Sequence, residues 1–274
     1  MLVGSVNLIT SIEAKSVLTQ QSKYGSIPYD YTINPYRGCL FGCSYCYASK
    51  FVHDASKKAA WGQWVEIKEN AVDSLQRESQ KVYGKTVFFS SATDPYQPIE
   101  RKLELTRALL QVLLMAFPAR LHIQTRSPLV VRDIDLFRKF GDSLDVGISV
   151  PTDSEVVRKA FEPRAPSIPR RLEAASQLKK AGIRTTASVA PLLPCTPERL
   201  ARLLAPCVYS AWVDTMNFYE KESAMMEIYR AHGWENYLGA EHAERVKREL
   251  EKVRLGESAR GGEAVRLAEQ LTEC

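Results

Sequence analysis

The sequence lacks the features of a membrane protein and of several large enzyme classes. No stretch reaches the ~18 uninterrupted apolar residues of a membrane-spanning helix. No basic segment precedes an apolar run at its start, so we expect neither membrane insertion nor a secretory signal. It contains no G-x-G-x-x-G, no P-loop and no H-E-x-x-H motif, and its 4 histidines are scattered. A dinucleotide-binding loop, a P-loop nucleotide site and a zinc-protease helix are therefore not indicated.

The composition is that of an ordinary globular protein. The chain has 274 residues, of which 45% are hydrophobic and 25% charged, enough to bury a large core. That length suits a single α/β barrel, although two small domains would also fit. The net charge of +5 is mild, so it permits a nucleic-acid partner without requiring one. We expect a cytoplasmic, reducing location, where closely spaced thiols stay free of disulfides.

Half of the 6 cysteines are grouped between Asn34 and Tyr47, with the spacing C-x3-C-x2-C. They are Cys39, Cys43 and Cys46. Thiolates this close together are usually metal ligands, because sulfur donors suit zinc or an iron–sulfur cluster. A structural zinc site needs four protein ligands, and the nearest further candidate is His53. Three thiolates on a four-iron cluster leave one iron open to a small molecule, so we favour a cluster over zinc or inert buried thiols.

Apolar segments of strand length alternate with segments of helical periodicity along most of the chain. The predicted strands cover residues 29–34, 86–91, 120–125, 144–150, 183–190 and 208–214. The predicted helices cover residues 69–82, 99–117, 133–140, 154–161, 169–181 and 197–205. This alternation indicates parallel βαβ units, and six of them predict a partial (β/α)6 barrel of the TIM type.

We predict one domain with an extension at each end. Residues 1–27 are polar and weakly patterned, which indicates an N-terminal arm. Residues 28–218 form the partial barrel, and residues 219–274 form a helical C-terminal extension packed on it. The pattern over residues 222–273 indicates helices only, with their charged faces in solvent.

Polar residues follow the predicted strands at the end where a barrel gathers its reactive groups. After the second, third, fourth, fifth and sixth predicted strands, respectively, they are Ser90, Ser91, Thr93 and Asp94; Gln124, Thr125 and Arg126; Ser149 and Thr152; Pro194 and Cys195; and Asp214, Met216 and Asn217. A polar cofactor held at this edge would contact these side chains.

The cysteine spacing, with Tyr45 just before the last cysteine, resembles the signature of radical S-adenosylmethionine (SAM) enzymes. Further segments resemble the spore-photoproduct-lyase-like branch of that family, so that the likeness extends over roughly two-thirds of the chain. They are Ser-Ser-Ala-Thr-Asp-Pro-Tyr-Gln-Pro-Ile-Glu at 90–100, Thr-Arg at 125–126, Ser-Val-Pro-Thr at 149–152, Phe-Glu-Pro at 161–163 and Val-Ala-Pro at 189–191. The resemblance implies the same incomplete barrel and a [4Fe–4S] cluster on Cys39, Cys43 and Cys46. SAM would chelate the fourth iron through its amino and carboxylate groups.

The resemblance also implies roles for residues at the strand ends. Arg126 lies where this branch carries a basic residue against the SAM carboxylate, and a guanidinium suits that geometry. Ser91 and Thr93 match the loop that takes the SAM amino group, without its usual glycines, and Asp94 is an alternative. The resemblance also implies that Ser149 or Thr152 hydrogen-bonds the ribose and that Tyr45 lies beside the adenine. Plainer alternatives stay open, namely a turn at Thr93 and Asp94 and a surface ion pair at Arg126.

The activity implied is reductive cleavage of SAM, in which a 5′-deoxyadenosyl radical then takes a hydrogen atom from a substrate. It requires an electron donor such as a reductase, a flavodoxin or a ferredoxin. Photoproduct lyases carry a hydrogen-donating cysteine after the second strand, whereas residues 90–94 contain no thiol. Either Cys195 or Tyr96 replaces it, or the substrate is not a thymine dimer. We favour a different substrate. For Cys195, the plainer alternative is that it is an ordinary buried core residue.

Several functions stay open on the sequence alone. A nucleic-acid substrate, as for a repair lyase related to spore photoproduct lyase, predicts a cationic groove beside the cluster. The arginines available for it are Arg158, Arg164, Arg170 and Arg171. A peptide or small metabolite predicts a closed, mainly neutral pocket instead. From other classes, the chain could be a non-catalytic iron–sulfur binding or sensor protein, or a zinc-stabilised nucleic-acid module.

Overall fold

The computed structural model describes residues 8–21, 29–215, 224–253 and 265–267. Its strands are, in chain order, β1 (Leu8–Ile12), β2 (Leu18–Gln20), β3 (Tyr31–Ile33), β4 (Tyr36–Arg37), β5 (Trp64–Lys68), β6 (Thr86–Phe89), β7 (Arg120–Thr125), β8 (Leu144–Ser149), β9 (Thr185–Val189), β10 (Ser210–Val213) and β11 (Val265–Leu267). Its α-helices are α1 (Ala55–Ala59), α2 (Ala71–Glu78), α3 (Glu100–Leu103), α4 (Leu105–Ala116), α5 (Ile134–Phe140), α6 (Glu155–Phe161), α7 (Ile168–Lys180), α8 (Pro197–Leu204), α9 (Ala224–His232) and α10 (Ala240–Lys252). Short 3-10 helices cover Tyr47–Phe51, Ser79–Val82, Pro128–Asp133, Gly141–Ser143 and Glu235–Tyr237.

The main sheet has eight strands in the order β2-β3-β6-β7-β8-β9-β10-β11. From β3 to β10 the neighbours are parallel and follow chain order, joined by crossovers that contain helices. β2 is antiparallel to β3 at one edge, and β11 is parallel to β10 at the other. In the described residues these two edges do not pair, so the sheet is open. The predicted partial barrel of six βα units is confirmed.

The core of the molecule runs across this sheet. Phe89, Ile123 and Val146 lie side by side on β6, β7 and β8, and each is 0% exposed. Burying one such side chain contributes about 1.5–3 kcal/mol relative to leaving it in water. The strands are predictable from sequence because they are short apolar runs buried in a parallel sheet.

A second, small sheet has the order β1-β5-β4 and lies beside the main one. Here the sequence predicted only an arm and a connection of uncertain form. β4 has two residues, and four of the five residues of β1 are exposed. Neither strand therefore shows the alternation of a half-buried strand. The pairing of β4 with β5 brings residues 61–68 against the segment that follows Arg37.

The helix predicted over residues 99–117 is two helices, α3 and α4. Glu104 between them adopts a left-handed conformation with φ of 52°. The Glu100 carboxylate accepts a hydrogen bond from the Thr106 backbone N–H at 3.1 Å, which satisfies a free donor in the first turn of α4. Helical periodicity cannot show this break, because the apolar spacing continues across it.

The C-terminal region differs from the prediction at one point. β11 is a strand, so the expectation of helices only over 222–273 was wrong at residues 265–267. Three residues are too few to show periodicity, and their partner β10 is distant in sequence. The helical part is present, since α10 packs on α8 with His242, Ala243, Val246 and Leu250 buried.

Other predictions fall outside the described residues. The domain boundaries near residues 27 and 218 do so, as do Met216 and Asn217, and they stay predictions. Among the described helices, none combines the length and the apolar character needed to span a bilayer.

Candidate active site

The cysteine loop (residues 38–46) follows β4 beside the C-terminal end of β3. Gly38 has φ of 78°, and a Cβ there would lie 2.7 Å from the Trp64 carbonyl oxygen. Gly42 has φ of 55°, and its Cβ would lie 2.8 Å from the Cα of Gly62. Both distances are shorter than a real Cβ contact permits. The two glycines therefore allow the loop to press against residues 61–64.

The cysteine trio (Cys39, Cys43 and Cys46) occupies one pocket, packed with Phe41 and Ala165. None of the trio forms a disulfide; the first two are buried and the third is half-buried. Burial is the main cause that raises the pKa of each thiol, to about 12 for Cys39. At Cys39 the charges of Asp94 and of Cys46 raise the pKa further; at Cys43 the Arg126 charge opposes the effect of burial, and the charges of Glu162 and the other two thiols add to it. Three thiolates in this pocket therefore need a positively charged centre between them.

The donor set fits an iron–sulfur cluster better than a single ion. Among the residues described, no three His, Cys, Asp or Glu side chains are arranged to hold one metal ion. His53, the fourth ligand considered for zinc, is exposed. A cluster has no need of such convergence, because each thiolate binds a separate iron. Three sulfur donors in one apolar pocket match that requirement.

Arg126 reaches the wall of this pocket from the end of β7. Its Nη1 donates to Cys43 Sγ at 2.6 Å, to Glu162 Oε1 at 2.7 Å and to the Tyr45 hydroxyl at 2.9 Å. The side chain is 17% exposed, so the alternative of a surface ion pair was wrong. Its Nη2 donates to no group in the described chain, which leaves donors for a further acceptor. Arg126 thus stabilises a thiolate at Cys43 and retains unused N–H donors for a further hydrogen bond.

Glu162 is a site residue that the sequence analysis did not single out. Its carboxylate is fully buried; Oε2 accepts from Arg171 Nη2 at 2.5 Å, and Oε1 also accepts from the Tyr45 hydroxyl. Burial would raise its pKa, but the charges of Arg171 and Arg126 outweigh burial and lower it. The available signal was one acidic residue between Phe161 and a proline, within a segment that carries the family resemblance.

Asp94 joins the end of β6 to the end of β7. Its Oδ1 accepts from Thr125 Oγ1 at 2.7 Å and from the Tyr96 backbone N–H at 2.9 Å. Its Oδ2 accepts from the Arg126 backbone N–H at 2.9 Å. Burial raises the pKa of Asp94, which the Arg126 charge partly offsets. These hydrogen bonds are typical of a turn, and they also fix the position of the Arg126 backbone.

The loop after β6 is fastened to the cysteine loop. Thr93 Oγ1 donates to the Gly38 carbonyl at 2.7 Å, and Ser91 Oγ accepts from Asn34 Nδ2 at 3.2 Å. Ser90 has a left-handed backbone with φ of 70°, and its buried Oγ has no partner in the described chain. Strained backbone and an unpartnered buried hydroxyl at a strand end are typical of a ligand site. This observation fits a polar cofactor held beside the cluster.

The two hydroxyls predicted to contact ribose make bonds within the protein. Ser149 Oγ accepts from Gln124 Nε2 at 2.8 Å, and Thr152 Oγ1 donates to the Pro194 carbonyl at 2.6 Å. Both residues are buried. They align the ends of β7, β8 and the loop after β9, and their contact with ribose stays a prediction.

The two candidate hydrogen donors are also buried. The Tyr96 hydroxyl donates to Asp133 Oδ2 at 2.9 Å, and Cys195 Sγ lies 3.5 Å from His242 Nε2 on α10. Both candidates belong to the main hydrophobic core, whereas the cysteine trio belongs to a separate cluster. Packing accounts for both side chains, and their catalytic roles stay predictions.

Two of the four arginines predicted to form a cationic groove are buried. Arg171 is 0% exposed and pairs with Glu162. Arg158 is buried and donates to the Glu162 and Ala165 carbonyls at 3.0 and 3.1 Å. Arg164 donates to the carbonyl of Gly62. For Arg158 and Arg171 the prediction was wrong, because both side chains are buried within the protein.

Comparison with known proteins adds to this geometry. The family model of the radical SAM superfamily matches residues 33–205, a range that contains the cysteine trio. An uncharacterized protein of Methanocaldococcus jannaschii is 37% identical over 186 residues, which cover 68% of this chain and 68% of that protein. Uncharacterized proteins of Acidianus two-tailed virus and Mycobacterium tuberculosis are 32% and 29% identical. Those two matches cover 57% and 66% of this chain and about half, 54%, of each relative.

Solved structures of spore photoproduct lyase share the fold. The complex of that enzyme with dinucleoside spore photoproduct has a TM-score of 0.62 at 17% identity, over 89% of this chain and 78% of the other. A variant with bound AdoMet and the same dinucleoside has a TM-score of 0.61 at 18% identity, over 90% and 78%. At such identities the likeness shows the fold alone.

Proposed function

The chain belongs to the radical SAM superfamily, and we propose that it is an enzyme that cleaves SAM at a [4Fe–4S] cluster held by Cys39, Cys43 and Cys46. The observation that carries the proposal is the grouping of three free thiols in one pocket, with Arg126 in contact with one of them. When bound, the cluster and SAM would supply reductive cleavage of a carbon–sulfur bond and a 5′-deoxyadenosyl radical that abstracts hydrogen from a substrate.

The protein's part is to hold and tune these groups. The trio would bind three irons, with Phe41 shielding the site from water. The hydrogen bond from Arg126 to Cys43 Sγ places a positive charge on one ligand, and such bonds set the reduction potential of a cluster. With three protein thiolates on four irons, one iron would be open to SAM.

SAM contacts follow from the donors that remain available. The unused nitrogen of Arg126 suits the SAM carboxylate, and the unpartnered Ser90 hydroxyl lies on the strand end next to Ser91. Thr93 would position the cysteine loop, and Asp94 would position Arg126. Contacts of Tyr45 with adenine, and of Ser149 or Thr152 with ribose, are part of the same proposal.

The substrate we propose is not a thymine dimer, since residues 90–94 contain no thiol. Cys195 and Tyr96, the two replacements for that thiol, are engaged in the core. A nucleic-acid repair lyase is the alternative. In either case the electron donor would be a reductase, a flavodoxin or a ferredoxin, in a cytoplasm that keeps the thiols reduced.

Anaerobic reconstitution with iron and sulfide, followed by SAM and dithionite, tests the proposal. The wild type should form 5′-deoxyadenosine, and Cys43→Ala should not. Cys207→Ala is the matched control, because Cys207 is also buried but its Sγ contacts the Leu203 carbonyl outside the pocket. An iron cluster without SAM cleavage would favour the sensor function. Zinc without iron would overturn the assignment.

A further inference from the structure

A cavity beside the cysteine loop is lined by Gly38 of that loop and by Asn34 and Ala92, but not by the cysteine trio. Its volume is about 170 Å³, and its walls include Arg37, Phe51, Trp61, Trp64 and Lys68. These residues come from the small sheet and from the segment that joins it to the cysteine loop. The function proposed above assigns no role to this cavity.

The walls carry more positive than negative charge. Glu66 is the acid of this region, and it pairs with both Arg37, at 3.0 Å, and Lys57. The half-buried Lys68 has no acid or acceptor on its Nζ within the described chain. Burial, followed by the nearby charge of Arg37, lowers the pKa of Lys68 to about 8. One carboxylate thus serves Arg37 and Lys57, and the positive charge of Lys68 beside the cavity lacks a counter-charge.

The cavity also offers an unused donor and flat apolar surfaces. Trp61 lines it, and the buried Nε1 of this residue has no partner in the described chain. The neighbouring Trp64 differs, since its Nε1 donates to the Lys57 carbonyl at 2.7 Å. Phe51 lines the same space and is 65% exposed. A ligand that carries an anionic group and a planar ring would satisfy each of these features.

We propose that this cavity binds a phosphate group through Arg37, Lys68 and the Trp61 N–H. A phosphate ester carries about 1.5–2 negative charges near pH 7 and several acceptor oxygens. Its charge matches the unpaired Lys68 together with Arg37, which shares Glu66 with Lys57, whereas a carboxylate would match one of these two cations. A cavity of about 170 Å³ is smaller than the ~300–1,000 Å³ of a pocket for a whole drug-sized ligand. It accommodates the phosphate, and the exposed face of Phe51 would contact an attached ring.

Calorimetric titration of the reconstituted 274-residue chain tests this site, because the readout is independent of SAM cleavage. Inorganic phosphate, thymidine 5′-monophosphate and a phosphodiester-linked thymidine dinucleotide should each bind with saturation. Tightest binding of the monophosphate would identify a free nucleotide as the source, and tightest binding of the dinucleotide would identify a nucleic-acid backbone. Equal binding of phosphate-free thymidine would overturn the proposal.

Two substitutions sharpen the test. Lys68→Met and Arg37→Met should each weaken phosphate binding by about tenfold or more, the effect of losing one charge-assisted hydrogen bond. Lys58→Met is the matched control, because Lys58 is exposed and does not line the cavity. Phosphate binding that is absent in the wild type, or unchanged in Lys68→Met, would show that the cavity is not a phosphate site.

Discussion

Arg126 Nη1 and Glu162 Oε1 lie 2.7 Å apart and form a buried ion pair at the wall of the cysteine pocket. The same nitrogen lies 2.6 Å from Cys43 Sγ, and Arg171 pairs with the other oxygen of Glu162. Arg126 Nε also lies 3.9 Å from Asp94 Oδ2, so two arginines face two carboxylates and one thiol. The hydrogen bond from Arg126 to Cys43 Sγ therefore connects the loop after α6 to the cluster site.

Removing the Glu162 carboxylate should destabilise the protein strongly. Glu162→Ala leaves Arg171, which is 0% exposed, without its acid, and breaking such a buried pair costs about 3–5 kcal/mol. Urea denaturation measures the loss. The control is Asp135→Ala, which breaks an ion pair with Arg107 whose acid is 54% exposed and should cost less than about 1 kcal/mol. Equal losses in the two variants would contradict the assigned burial of the Glu162 pair.

A methyl group at Gly42 should disrupt the cysteine loop. In Gly42→Ala the added Cβ meets the Cα of Gly62 at 2.8 Å, in addition to the strain of a positive φ. Gly84→Ala has the same strain, with φ of 65°, but nothing lies within 4 Å of the added atom. The control should lose about 1 kcal/mol, and Gly42→Ala about 1–3 kcal/mol more, together with iron content after reconstitution. Full iron loading of Gly42→Ala would show that the loop is not held by this contact.

The Tyr96 hydroxyl should contribute to the free energy of unfolding of the protein. Asp133 accepts from that hydroxyl at 2.9 Å and is 0% exposed, so Tyr96→Phe removes a donor from a buried carboxylate. We expect a loss of about 1–2 kcal/mol in the free energy of unfolding. Tyr83→Phe, in a residue that is 67% exposed, should leave it unchanged. If Tyr96→Phe is equally neutral, the hydroxyl is free of the structural role given to it here.

The stability effect of Lys68 should depend on pH. The folded state lowers the pKa of this amine from 10.5 to about 8. Below pH 8 the amine is charged in both states, and the folded state carries the cost of that charge. Between about pH 8 and 10.5 the unfolded chain holds the proton that the folded chain has lost, so stability rises with pH.

Lys68→Met should therefore be more stable than the wild type below pH 8, and this gain should fade as the pH rises above about 8. Urea denaturation at several pH values measures the difference, with Lys58→Met as the control without such a trend. A gain that stays constant with pH would contradict an unpaired, partly buried ammonium at this position.

The features predictable from sequence are those that depend on neighbours in the chain. The spacing of Cys39, Cys43 and Cys46 is local, and so are the apolar runs of β6, β7 and β8. The break at Glu104 was missed because its cause is the Glu100 side chain, which apolar periodicity does not register. The strand β11 was missed because pairing with a distant strand, rather than its own pattern, defines it.

The candidate site was predictable in part for the same reason. Arg126 was identified from its place after a strand, but its partner Glu162 lies 36 residues away and its charge is buried only because two arginines meet it. The burial of Arg158 and Arg171 likewise depends on the packing of the loop after α6. A charge pattern predicts solvent exposure by default, so paired buried charges escape it.

Electron paramagnetic resonance of the reduced, reconstituted protein, recorded with and without SAM, tests the central claim most directly. With three thiolate ligands from the cysteine trio, one iron is free to bind SAM, so SAM should change the g-values and line shape of the cluster signal. Cys207→Ala should give the same change. A [4Fe–4S] signal that stays identical on addition of SAM would contradict the account, because it would show an iron already closed by a fourth protein ligand.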